Sequence, residues 1–183
     1  MNLILASASP RRRELIKKLD YLSVTVCPSN VEEIITKNTP CEIVMELAEQ
    51  KASSIISNEL TLGADTMVFL DDLKLGKPTT EADARRMFHA LCGRTHEVIT
   101  GICLKKRDKT ISAYERSFVT FNDYNDEIIN NYIKTGKPFD KAGGYGAQDE
   151  EFSPILKNIT GDYDNVLGLP VQLIDRLIRE NFS

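Results

Sequence analysis

The stretch Ser7-Ala8-Ser9-Pro10-Arg11-Arg12-Arg13-Glu14-Leu15 restricts what this chain can fold into more than any other. The apolar run Leu3-Ile4-Leu5-Ala6 before it reads as a short buried strand. Ser9 is a natural N-cap, and Pro10 suits the first helical position because its missing N–H would be an orphan there. Leu15, Ile16 and Leu19 give the helix one apolar stripe. Strand, tight turn and helix follow in order, and three arginines fall in the first turn. A helix N-terminus carries partial positive charge and favours anions. Three guanidiniums there repel one another unless an anion relieves them. Free N–H groups, the hydroxyls of Ser7 and Ser9, and arginine forks together make a phosphate site. A solvated basic patch is the plainer alternative. Arg12 lies angularly within the apolar stripe and should face the protein body, whereas Arg13 should face outward, which favours the phosphate reading.

The next segments alternate between strand and helix periods. Leu22 to Val26 reads as a strand and Pro28 to Pro40 as a polar loop holding Glu32 and Glu33. From Cys41 to Ser57 the period is helical, with Val44, Leu47, Ala48, Ile55 and Ile56 on the apolar face. Lys51 falls in the middle of that face; it can snorkel to solvent or reach into a site, and the pattern leaves both open. Leu62 to Leu70 reads as a central strand interrupted by Asp65, a residue type depleted in strands. Asp71-Asp72 marks a turn, Leu75-Gly76-Lys77-Pro78 a loop, and Thr80 to Leu91 a helix capped by Thr80 and closed by Cys92-Gly93. His96 to Lys105 and Thr110 to Phe121 form a hairpin, and Asn125 to Lys134 a helix ending at Gly136. Asp140 to Gln148 is a glycine-rich loop, Phe152 to Ile159 a strand, and a final helix ends near Asn181. A hairpin among alternating helices and strands predicts an α/β protein with a mixed sheet.

Composition excludes several classes. With 183 residues, one domain fits, with room for two lobes. A net charge of -4 argues against stable nucleic-acid binding. No apolar run reaches the roughly 20 residues of a membrane span, and the start lacks a basic segment followed by a long apolar core. Cys27, Cys41, Cys92 and Cys103 are scattered without a Cys-x-x-Cys pair. Reduced, buried thiols in a cytoplasmic protein are expected, rather than a zinc site or a disulfide framework.

Two kinds of polar residue stand out. Arg11, Arg12, Lys51, Lys77 and Lys141 are cations at a helix start, on an apolar face or in loops. Glu32, Glu33 and Asp65 are carboxylates that solvation explains poorly. Plain salt bridges would account for them. So would metal-assisted phosphoryl chemistry, in which cations hold phosphates, two carboxylates hold a hard divalent ion, and one carboxylate activates water. Neither Gly-x-x-x-x-Gly-Lys-Ser/Thr nor Gly-x-Gly-x-x-Gly occurs, so the chain resembles neither an ATPase nor a dehydrogenase.

Nearly end to end, the chain resembles the Maf-type nucleoside triphosphate pyrophosphatases. The likeness is carried by Leu5-Ala6-Ser7-x-Ser9-Pro10-Arg11-Arg12, Glu32-Glu33, Ala48-x-x-Lys51-Ala52, Gly63-Ala64-Asp65-Thr66 and Leu75-Gly76-Lys77-Pro78. Thr95-His96-x-Val98-x-Thr100, Asp140-Lys141-Ala142-Gly143-x-Tyr145-Gly146-x-Gln148 and Gly161-x-Tyr163 through Gly168-Leu169-Pro170 complete it. The resemblance implies an elongated Maf/ITPase-like α/β fold over residues 1–183: a mixed β-sheet flanked by helices, with two lobes around a central nucleotide cleft, usually as a homodimer. It implies hydrolysis of nucleoside triphosphates between the α and β phosphates with Mg²⁺ or Mn²⁺, in a family historically linked to inhibition of septum formation. By the same resemblance Asp65 is the proton acceptor, and Glu33 and Asp65 bind the metal. Asp65, Glu33 and Lys77 form the catalytic set, with Arg12, Lys51 and Lys77 on the triphosphate. Ser7, Ser9 and Lys141 join the substrate ligands, while Arg11, Thr66 and Gln148 match positions of base selection. This set resembles the branch acting on dTTP and UTP rather than 7-methyl-GTP. Asp149-Glu150-Glu151 depart from the small, glycine-rich continuation expected after Gln148; acids facing a triphosphate would oppose its binding.

Overall fold

The computed structural model describes residues 1–182. Parallel strands β1 (Asn2–Leu5) and β2 (Ser23–Val26) flank helix α1 (Pro10–Ile16) in the chain. Helix α2 (Pro40–Ser53) leads to the long strand β3 (Leu60–Leu70), which pairs parallel with β1, Leu5 opposite Leu62. The antiparallel β4 (Leu73–Leu75), helix α3 (Glu81–Leu91), strands β5 (Thr95–Lys106) and β6 (Lys109–Phe121) and helix α4 (Asp126–Lys134) follow. β7 (Leu156–Thr160), the short α5 (Tyr163–Leu167) and α6 (Val171–Asn181) complete the chain. The sheet order is β2-β1-β3-β5-β6-β7, with β4 paired to β3 off that path. This is the mixed sheet flanked by helices that the alternating periods predict. No helix among the described residues is long and apolar enough to cross a membrane.

Chain contacts divide the protein into two compact units. The first comprises Met1–Thr66, Ile99–Glu115 and the chain from Asp164 onward; the second comprises Met67–Val98 and Arg116–Tyr163. In the first unit, the two-residue period of a strand sorts the side chains. Leu60, Leu62 and Ala64 of β3 and Ile102 and Leu104 of β5 join Leu3, Leu5, Leu15, Ile16, Ile174 and Ile178 in one core. The other face of the same strands packs on α2, where Cys103 meets Ala48 and Ala52. Contact there is so close that a Cβ added to Gly63 would lie 2.1 Å from the carbonyl oxygen of Ala48. One added to Gly101 would lie 2.3 Å from that of Val44.

The second unit is built on rings. His96, Phe121 and Tyr145 contact one another edge-on, Phe152 meets Phe121 edge-on and stacks on Tyr145, and Phe88 and Tyr132 extend the group. His96 Nε2 lies 2.7 Å from Tyr145 Oη, and burial pulls its pKa down to about 3, so the ring is neutral.

Several expectations need correction. Helix α2 stops at Ser53, where the Ser54 hydroxyl donates back to the Lys51 carbonyl, so Ile55 and Ile56 lie outside it and Ile56 is fully exposed. The turn at Asp71 returns the chain as β4, and Phe152 is the buried residue of a 3-10 turn before β7, not part of the strand. No disulfide forms among the described residues, but only Cys103 is buried: Cys27 is exposed, and Cys41 and Cys92 are half-buried. Gly63→Ala should destabilise the protein by about 3 kcal/mol or more, because backbone cannot yield as a side chain can. Urea unfolding should show this, with a melting point lower by about 6–12 °C.

Candidate active site

Alternation along β3 turns Asp65 to the α2 face, with Gly63, and Thr66 to the opposite face. Asp65 is only 8% exposed. Its Oδ1 accepts from Lys51 Nζ at 2.5 Å, and Glu33 Oε1 lies 2.8 Å from the same ammonium. Lys51 therefore turns inward onto two carboxylates rather than snorkelling to solvent. Its position in the last turn of α2 also suits a cation. Glu33 lies in the loop before α2, and two α2 side chains one turn apart tie that loop down. Gln50 exchanges hydrogen bonds with the backbone of Ile34, and Glu46 accepts from the N–H and hydroxyl of Thr36. Those bonds hold the Glu46 carboxyl below its usual pKa.

The second cluster forms on the Thr66 face. Ser9 caps α1 by accepting from Arg12 N, and Ser7 Oγ accepts from Ser9 N at 3.2 Å. With seven residues in α1 and both hydroxyls accepting inward bonds, the charge presented here is that of the guanidiniums rather than of the helix end. Arg13 is exposed, as its angle predicts, while Arg11 is half-buried. Arg12 Nε donates to the Gly168 carbonyl at 2.8 Å, Nη1 to Ser7 Oγ at 3.3 Å and Nη2 to Thr66 Oγ1 at 3.0 Å. Burial pulls the Arg12 pKa down, the Asp65 charge opposes that, and the Arg11 charge adds to it.

Ser7, Ser9, Arg11, Arg12, Glu33, Lys51, Asp65 and Thr66 thus all belong to the first unit. Lys77, Lys141 and Gln148 belong to the second. Lys77 is exposed in the loop after β4. Lys141 is buried, and its ammonium donates to the Lys137 carbonyl at 2.6 Å and to Asp140 Oδ1 at 2.7 Å, with Asp149 Oδ2 at 3.5 Å. Gln148 is exposed on a turn closed by Asp149 N on the Gly146 carbonyl at 3.0 Å. Of the three acids after it, Asp149 is turned inward, accepting from Tyr132 Oη at 2.6 Å, and Glu151 pairs with Lys137. Two of those charges are therefore matched inside the second unit.

The donor set in the first unit fits a hard divalent cation. Asp65 Oδ2 is buried without a hydrogen-bond partner, and Glu33 is the neighbouring carboxylate. No group of three or more His, Cys, Asp or Glu gathers among the described residues. A cation held there would take its other oxygens from substrate phosphates and water, which suits Mg²⁺. Reading by charge passes over Thr100, Asn165 and Gly168, which brace Arg12 and Thr66 through uncharged atoms. Their only sequence signal is their place in the Thr95 to Thr100 and Gly161 to Pro170 runs.

The family profile described as Maf-like protein matches residues 2–181. A protein of Bacillus mycoides named dTTP/UTP pyrophosphatase is 46% identical over 182 residues, covering 97% of this chain and 93% of that one. A Bacillus cereus protein of the same name is 45% identical with the same coverage. Among solved structures, a HAM1 protein from Coxiella burnetii superposes with a TM-score of 0.55 at 14% identity, over 98% of this chain and 99% of the other. That likeness establishes the fold alone.

Arg12 braces as well as carries charge, so Arg12→Ala should not leave stability untouched. The Gly168 carbonyl and two hydroxyls lose their donor, at a cost of about 1–3 kcal/mol. Urea unfolding at neutral pH measures this, and wild-type stability would show that the three bonds contribute nothing net.

Proposed function

The chain belongs to the Maf-like protein family, and from that premise we propose that it hydrolyses dTTP and UTP between the α and β phosphates, releasing a monophosphate and pyrophosphate. The observation that carries the reading is the buried, unpartnered Oδ2 of Asp65, beside an ammonium and a second carboxylate, with the half-buried Arg12 guanidinium within electrostatic reach. The name borne by relatives at 46% and 45% identity supports the substrate class.

Asp65 takes a proton from water at Oδ2, the water oxygen attacks the α-phosphorus, and the bond to the bridging oxygen breaks. Pyrophosphate carries away the negative charge. Arg12 and Lys51 hold phosphate oxygens, and Lys51 is paired with Oδ1 of Asp65, which leaves Oδ2 to meet the water. Glu33 and Asp65 are the residues that would hold Mg²⁺ or Mn²⁺, which when bound neutralises phosphate charge. The phosphate-binding roles of Lys77 and Lys141 and the base-selecting roles of Arg11, Thr66 and Gln148 rest on the resemblance. Gln148 presents an acceptor and an NH₂ donor side by side, which complements the N3–H and O4 edge of uracil and thymine.

Asp65→Asn keeps the shape but removes the base, so turnover should fall about 10²–10⁴-fold while dTTP binding persists. Pyrophosphate release across a nucleotide panel with Mg²⁺ or Mn²⁺ measures it. Near wild-type turnover at saturating metal would remove Asp65 from the mechanism. No release from any nucleotide by the wild type would favour a nucleotide-binding regulator, and preferential release from ITP or XTP a purine-directed enzyme. Gln148→Glu should lower kcat/KM for dTTP and UTP relative to 7-methyl-GTP by about tenfold or more. An equal loss for every nucleotide would mean that Gln148 only braces its loop.

A further inference from the structure

Arg12 is aimed by a directed chain of hydroxyls that ends on the backbone of α5. A guanidinium only donates, so the Thr66 hydroxyl accepts from Arg12 Nη2 and must send its own proton elsewhere. Thr66 Oγ1 lies 2.9 Å from Thr100 Oγ1 and 3.4 Å from the Gly168 carbonyl. Thr100 is fully buried and donates to the Asn165 carbonyl at 3.1 Å. The shortest consistent set therefore runs from Arg12 to Thr66, from Thr66 to Thr100, and from Thr100 to Asn165. The same helix end supplies the acceptor for Arg12 Nε, since the Gly168 carbonyl follows α5 directly. Gly168 has φ +109°, a conformation that side chains rarely adopt, and a Cβ there would meet Thr66 Oγ1 at 3.4 Å. Three of the five guanidinium N–H groups are thereby fixed on neutral acceptors, and the remaining two, one on each terminal nitrogen, can face an anion.

We propose that Thr100 is a positioning residue for Arg12: through Thr66 it fixes the guanidinium plane so that the two remaining N–H groups meet a triphosphate. This rests on Arg12 being a phosphate ligand, as proposed above. Thr100 touches no substrate. Its hydroxyl matters only through the group that it orients, so its effect should vanish when that group is gone.

Thr100→Val removes the hydroxyl and keeps the branched shape. The Asn165 carbonyl still accepts from Gly168 N, so the turn after α5 retains a partner. The test measures Kd for the non-hydrolysable α,β-imido analogue of dTTP and kcat/KM for dTTP, with unfolding midpoints as a check. Thr100→Val should weaken analogue binding roughly tenfold. Thr100→Ser, which restores a hydroxyl, should recover most of it. In the Arg12→Ala background, Thr100→Val should add nothing, because residues acting as one unit are not additive. Additive losses, failure of Thr100→Ser to rescue, or wild-type affinity in Thr100→Val would each overturn the proposal. So would wild-type affinity in Arg12→Ala. Analogue binding without pyrophosphate release would sink the hydrolysis reading alone, since the affinities would still decide the role of Thr100. No binding by the wild type would overturn both.

Discussion

A carboxylate inside an apolar strand is the constraint on which the first unit depends. Asp65 is 8% exposed, and taking an ion out of water costs several kcal/mol unless a partner compensates. The partner is Lys51, so α2 must lie close enough for a lysine near its end to reach across. That proximity explains why β3 and β5 both present glycine to α2. Glu33 then needs a loop held against the same helix, which Glu46 and Gln50 provide. Only one oxygen of Asp65 is satisfied in this way. A buried acceptor left over is a liability in a purely structural ion pair and an asset in a group that must take a proton or hold a cation.

The opposite face of β3 solves a different problem. Arg12 is half-buried against neutral oxygens, so its charge is not consumed by a salt bridge there. Neutral acceptors orient a guanidinium without cancelling its field, which preserves attraction for a phosphate. The second unit makes no comparable use of charge at its centre, where a neutral histidine lies among rings. Its buried ions sit instead in the Lys141–Asp149 pair completed by Tyr132.

Local chemistry was legible in the sequence where one residue decides a local geometry. Ser9 and Thr80 each accept from a backbone N–H as caps, and the two long strands β5 and β6 do lie side by side. Asp65 stood out because aspartate is improbable in a strand, and Arg12 because its helical angle faced inward. Periodicity misled where an apolar pattern ran past a stop signal, at Ile55 and Ile56. It was silent where elements are too short to show a period, as in β4 and α5. The partner of Lys51 was open because an ammonium on an apolar face satisfies either reading until the neighbouring strand is placed. Thr100 and Gly168 showed only as members of the resembling runs, because uncharged hydroxyls and carbonyls leave no periodic or electrostatic signature. Asp149 looked like an acid facing substrate, yet Tyr132 on α4 and Lys141 claim it.

The identity of the products tests the central claim most directly. Incubating dTTP with the protein and Mg²⁺, and following the reaction by ³¹P NMR, should show dTMP and pyrophosphate appearing in equal amounts. Formation of dTDP and orthophosphate would mean that the protein cleaves the terminal phosphate, and would contradict the account.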